Sequence, residues 1–298
     1  VHAIEKTQFG NERAMITFIE KPGGKYDHDI SIMEKNVDLA ASHCKLEVVG
    51  LQLLISQGMQ ARAADQENTV TVKGADGKLK GVQIPPMGTE ASKKFWKPLL
   101  DAVYASLKKR GLEKSLVLGS FSDDKGLAVS NKAFDEIFPG GSPAPWMRGG
   151  HIPAEGTKPY PAAGGGGRIV LHEHCYGMSP VTPLVKFPPI WDYRARKNPG
   201  VAFFRDSSVK IMPPLGLRVE TLRGLACGKK GMGRIGLDWF RVLKGKGGAV
   251  LDVYNRWPRS YVAARRPYQS RLAAEGPDGA ITSIRLEAFL EGIQECEA

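Results

Sequence analysis

The chain has 298 residues, enough for one large domain or two small ones and for a core that requires neither disulfides nor metals. With 42% hydrophobic and 24% charged residues it reads as globular rather than disordered, and no apolar run nears the roughly 20 residues of a membrane span. The net charge of +11 favours anionic partners, but the basic residues are dispersed and no aromatic-interleaved basic stripe is present, so solvated surface charge is favoured over nucleic-acid binding.

The predicted elements alternate strand and helix. Ala14–Glu20 reads as a strand, and Ile30–Cys44 as a helix with Asp29 as cap and Ile30, Met33, Val37 and Ala41 on one face. Leu46–Ile55 is a long apolar strand. Thr69–Lys73 and Lys80–Ile84 flank Ala75-Asp76-Gly77, which predicts a β-hairpin insertion near 69–85. Thr89 can cap a helix that runs to Arg110 and stops at Gly111. Phe95, Leu99, Val103 and Leu107 form its apolar stripe, and Pro98 is expected to kink it or delay its start. Ser115–Phe121 is the next strand and Leu127–Phe138 the next helix, stopped by Pro139-Gly140-Gly141. Strands follow near Ala144–Gly149, Arg168–His174, Val201–Arg205 and Arg234–Phe240, with a helix over Leu215–Cys227. Gly164–Gly167 is a loop rather than a phosphate cradle, because the Gly-x-x-x-x-Gly-Lys pattern is lacking.

This order predicts an α/β fold with a mostly parallel sheet, and its count and spacing suit a (β/α)8 barrel of TIM type, incomplete within this chain. The eighth strand would lie before Val1 or near Ala249–Val253. A doubly wound sheet is the alternative, weakened because no G-x-G-x-x-G follows the first strand. The four cysteines, Cys44, Cys175, Cys227 and Cys296, form no C-x-x-C pair, which argues against a zinc ribbon and against a disulfide framework.

In a barrel the chemistry gathers at the C-terminal ends of the strands. The strand ending at Phe121 leads into Asp123-Asp124, either a carboxylate site or a cap for the following helix. Trp146–Gly150 leads into His151. In Leu171-His-Glu-His-Cys-Tyr176, His172 and His174 share a strand face. They suit a sugar cleft, with Tyr176 beside them, better than a catalytic metal, because no histidine follows to complete a ligand set. Arg205-Asp206 could hold a carboxylate or sulfate. Asp238 with Trp239 and Phe240, and Trp257 in Asn255-Arg-Trp-Pro258, offer an acid beside aromatic platforms, unless the rings belong to the core.

The last 23 residues, Gly276–Ala298, read as a Pro277-Asp278-Gly279 turn, a Ser283 cap and a helix with Leu286, Phe289, Leu290 and Ile293 at helical spacing. This Gly-Pro-Asp-Gly turn leading into Ser-Ile-Arg-x-Glu closely resembles the end of the catalytic domain in glycoside hydrolase family 123-like proteins. The resemblance extends over Pro85–Pro98 and most of 26–298, with the C-terminal block its specific part. It implies a glycosidase barrel in which an Asp-Glu pair at a strand end carries catalysis: the Asp holds the 2-acetamido group that attacks the anomeric carbon, and the Glu protonates the leaving oxygen. Asp123 would take the first place and Asp124 the second. Asp124 is one methylene short of the family's Glu, setting its carboxyl about 1–1.5 Å back, a shift that can cost on the order of 10²-fold in rate.

The reading is therefore a single glycoside-hydrolase-like domain over 1–298, expected to be a piece of a longer chain since Val1 is not a start methionine and the last helix has no stop signal. It would act on a polysaccharide or glycan, an anionic one fitting the charge, with no cofactor, no nucleic acid and no membrane span. The resemblance implies a secreted or periplasmic protein. A non-catalytic carbohydrate-binding or assembly protein on a degenerate barrel is the first alternative, and a metal-dependent hydrolase using His172, His174 and an acid the second.

Overall fold

The computed structural model describes residues 1–5, 13–55, 68–86, 88–121, 128–141, 143–150, 168–176, 200–204, 214–226, 229–233, 242–243, 250–251 and 272–298. It is a mixed α/β protein with parallel and antiparallel sheets. The chain divides into two compact units, one of Val1–Thr7, Asn11–Gly150 and Lys158–Leu171, the other of Gln8–Gly10, His151–Thr157 and His172–Ala298.

The first unit holds two sheets. Strands β1 (Thr17–Lys21), β2 (Lys25–Asp29), β4 (Thr69–Lys73) and β5 (Leu79–Gln83) form one, in the order β2-β1-β4-β5. β4 and β5 are the expected hairpin, with Asp76 accepting from the Lys78 amide (3.0 Å) and Gly77 at φ +76°. Its place is more than that of an insertion, because β4 also pairs in parallel with β1. β2 was not anticipated: Lys25-Tyr-Asp-His-Asp has no apolar run, and among the described residues it pairs only with β1, as an edge strand.

The other sheet is parallel. β6 (Leu116–Phe121) lies between β3 (Val49–Ile55) and β7 (Pro145–Gly150), with Leu118 opposite both Leu51 and Trp146. Helices α1 (Ser31–His43), α2 (Glu90–Lys108) and α3 (Ala128–Ile137) complete the unit. One core joins Phe18, Met33, Val37, Leu51, Leu53, Val70, Val72, Trp96, Leu99, Leu100, Val103, Leu107, Leu118, Phe134 and Trp146. Burying such side chains stabilises by roughly 1.5–3 kcal/mol each.

Thr89 caps α2 as expected, accepting from the Ser92 amide (3.1 Å), and Gly111 follows the helix at φ +68°, where a side chain would be strained. Pro98 does not delay the start. The helix runs from Glu90 through it, the burial of Trp96, Leu99 and Leu100 on either side offsetting the lost backbone hydrogen bond. At α1 the cap is displaced: Asp29 accepts from the Ser31 amide (3.0 Å), while Ile30 occupies the cap position without a side-chain bond, and Ala41 is exposed.

The parallel strands β8 (Arg168–Tyr176), which belongs to the second unit from His172 on, β9 (Gly200–Phe204) and β10 (Lys229–Gly233) run with β9 in the middle. The strand expected over 234–240 lies outside the described residues, and β10 precedes it where the sequence has only Lys-Lys-Gly-Met-Gly. β11 (Val242–Leu243) pairs with β12 (Val250–Leu251), within the segment proposed for an eighth strand, but in antiparallel sense. Among the described residues no pairing closes the parallel strands into a barrel.

β13 (Ala273–Gly276) and β14 (Gly279–Thr282) form a hairpin across Pro277-Asp278. Ser283 then caps α5 (Ile284–Glu297), accepting from the Leu286 amide (3.2 Å) and donating to the Leu272 carbonyl (2.6 Å). α5 packs on α4 (Pro214–Ala226) through Leu217, Leu272 and Phe289, flanked by Leu286 and Ile293. Leu290, expected on this face, is 40% exposed. Ala288 and Gly292 are buried instead, because the face is set by the close approach of α4.

Candidate functional site

The parallel register aligns the C-terminal ends of β3, β6 and β7. Ile55 lies opposite Phe121, and Phe121 opposite Gly149. Asp123 and Asp124 follow β6 by two and three residues, and His151 follows β7 directly. These three residues themselves lie outside the described set, as does the proposed capping of α3 by the aspartates.

In the second unit, His172, His174 and Tyr176 stand on β8, in register with Gly200, Ala202 and Phe204 of β9. All three therefore share one strand, with Tyr176 at its C-terminal end. Arg205 follows the end of β9, and with Asp238, Trp239 and Trp257 it lies outside the described residues. Among the described residues no group of three or more His, Cys, Asp or Glu could hold a metal ion, and no helix is long and apolar enough to cross a membrane.

Sequence reasoning passed over the two faces of β3. Leu51 and Leu53 enter the core, whereas Gln52 belongs to the opposite face and is nonetheless 5% exposed. Its register partner on β6 is Gly119, and a Cβ there would stand 2.5 Å from Gln52 Oε1. Gly50 lies on the same face, where its missing side chain leaves room for Met147 Cε, 3.1 Å from a Cβ at that position. The register shifts immediately after Gln52, between it and Leu54, an irregularity of the β-bulge kind. A glutamine inside an apolar run was the available signal, since period-2 alternation places it opposite Leu51 and Leu53.

Of two other polar groups, Glu5 is buried and His28 half-buried. The Glu5 carboxylate accepts from Thr71 Oγ1 (2.6 Å), Arg13 Nη1 (3.0 Å) and Thr69 Oγ1 (3.3 Å), and the absent side chain of Gly81 leaves it room. So fully bonded a carboxylate ties the segment before β1 to β4. His28 on β2 meets the Phe18 ring edge-on at 4.7 Å, and burial holds its pKa down to about 4, against the smaller opposing pull of Asp27. It is neutral at pH 7 and lies within an aromatic cluster that includes Tyr26, Phe95 and Trp96.

No protein-family model matches the sequence, and no curated protein matches it. Among solved structures the fold is similar to that of a family 123 glycoside hydrolase from Clostridium perfringens, described in connection with glycolipid glycan hydrolysis, with a TM-score of 0.61 and 13% identity. The likeness covers 95% of this chain and 47% of that one, so the chain spans about half the length of the structure it matches.

Proposed function

We propose that this chain is a glycoside-hydrolase-like module acting on a glycan, built on a (β/α)8 barrel with Asp123 and Asp124 as its catalytic carboxylates. The observation that carries the reading is the fold likeness to a family 123 glycosidase over 95% of the chain. It is supported by the position of the aspartate pair in the sequence, just past a parallel strand whose end is level with those of its neighbours. Asp123 orients the attacking group or stabilises positive charge at the anomeric carbon, and Asp124 protonates the leaving oxygen, which requires a raised pKa. The residues proposed to contact the glycan are His151, His172, His174, Tyr176, Arg205 and Asp238, with Trp239 and Trp257 as stacking platforms. The charge of +11 favours an anionic glycan.

The test is a panel of glycans and polysaccharides, sulfated and uronic-acid polymers included, offered to wild type and Asp123→Asn side by side. Sugar release by wild type and not by the variant is the expected result. Release by both would remove Asp123 from the mechanism. Asp124, standing where the family has Glu, favours a second reading as a non-catalytic carbohydrate-binding module. Binding by both proteins without release would select it.

A further inference from the structure

We infer that Gln52 is a ligand-recognising residue, its carboxamide taking a hydrogen-bond donor of the kind a sugar hydroxyl or an acetamido N–H supplies. The inference rests on the carbohydrate reading above and adds to it a residue outside the carboxylate pair.

Gln52 is 95% buried by its 5% exposure, and its Oε1 has no hydrogen-bond partner. The backbone at this position is fully engaged: its amide donates to the Val1 carbonyl (2.8 Å) and its carbonyl accepts from the Ala3 amide (3.0 Å). The side-chain oxygen, by contrast, is left without a donor. A buried acceptor left without a donor costs stability, and a leucine or methionine would fill the same space without that cost. Local rules broken without structural gain concentrate at functional positions.

Two further features single out the site. Gly119 clears the space across which the amide lies, since any Cβ there would stand 2.5–2.7 Å from the carboxamide atoms. The β3 register shifts directly after Gln52, and such irregularities gather where a strand re-aims a side chain beside a site. The face is also the one turned away from the apolar core that contains Leu51, Leu53 and Leu118. The terminal torsion of glutamine is soft, so the carboxamide can turn to present its oxygen to a hydroxyl or N–H, or its NH2 to a carbonyl.

The experiment is calorimetric titration of wild type, Gln52→Met and Gly119→Ala with N-acetylgalactosamine, N-acetylglucosamine, galactose and glucose, with the thermal midpoint of each protein measured alongside. Gln52→Met is expected to unfold at or above the wild-type temperature while binding the preferred sugar about tenfold more weakly or worse. Gly119→Ala, which displaces the amide without altering it, is expected to weaken binding in the same direction. Unchanged affinity in Gln52→Met overturns the inference, whatever its midpoint. Wild type that binds none of the four sugars overturns this inference and leaves the carbohydrate reading to the glycan and polysaccharide panel, and wild-type binding that Gln52→Met retains likewise overturns this inference alone.

Discussion

Gly292 of α5 sits so close to Thr221 of α4 that a Cβ at position 292 would fall on the Thr221 hydroxyl oxygen, and 2.6 Å from the Arg218 carbonyl oxygen. Thr221 Oγ1 itself donates to that carbonyl (2.6 Å), so neither atom is free to yield. Arg218 reaches the same helix through Glu291 (3.4 Å) and Glu295. The two helices are held at a distance that only glycine allows.

A mid-helix glycine is ordinarily a weak point, and Gly→Ala in a helix interior typically stabilises by about 1 kcal/mol. Here the sign reverses. Gly292→Ala must push α5 away from α4, and overpacking of this kind costs about 1–3 kcal/mol. Urea denaturation is the check; a variant as stable as wild type or more so would mean that the helix pair tolerates separation.

Arg110, past the end of α2, grips α1. Its Nε and Nη2 meet the two oxygens of Asp38 at 2.6 and 2.9 Å, while Nη1 reaches Ser106 Oγ (2.9 Å) and Glu34 (3.3 Å). Lysine carries the charge but not the fork. Arg110→Lys is expected to lower the unfolding midpoint, and a double-mutant cycle with Asp38→Asn to show a coupling that shrinks between about 0.1 M and 1 M salt. Purely additive effects would reduce the pair to an inert surface contact.

His28 gives stability a pH dependence. Its pKa is lowered to about 4 in the folded chain from 6.5 in the unfolded one. Between these values the unfolded state binds more protons, so stability is full above about 6.5, falls as the pH drops, and levels off below about 4. His28→Phe keeps an aromatic partner for Phe18 and should flatten that part of the profile. His2, also depressed by burial, to about 3, leaves a residual slope in the variant. A wild-type profile already flat from pH 4 to 6.5 would show that His28 opens to solvent.

What the sequence made legible follows from how local each cause was. Thr89 and Ser283 announce their helices because the capping bond spans only three residues. The Asp76-Gly77 turn announces its hairpin for the same reason. β2 was not legible, because Tyr26 and His28 gain their burial from Phe18 and Phe95, brought near only by tertiary packing. Leu290 was misplaced because the face of α5 is chosen by α4, distant in sequence, through the approach of Thr221 to Gly292. Pro98 misled because core burial outweighs a local break. In the candidate site the sequence pointed to carboxylates and histidines at strand ends, where chemistry is visible as residue type. Gln52 interrupts an apolar run, which the sequence shows, but its unmet hydrogen bond and the glycine on the neighbouring strand come only from the fold.

Asp124 offers the sharpest test of the catalytic reading. If it is the acid and stands about 1–1.5 Å short of the leaving oxygen, then Asp124→Glu restores the reach. Proton transfer occurs in the transition state, so the gain belongs in kcat rather than KM, and about tenfold or more is expected. The same substitution in an Asp123→Asn background should give no gain, because the acid has nothing to assist once the attacking group is unheld. Steady-state kinetics on the best substrate of the panel would read all three proteins. A fall in kcat for Asp124→Glu would mean that the site is built around the shorter side chain, with the sugar drawn closer to β6. An unchanged kcat would place Asp124 outside the chemistry and leave it as a helix cap.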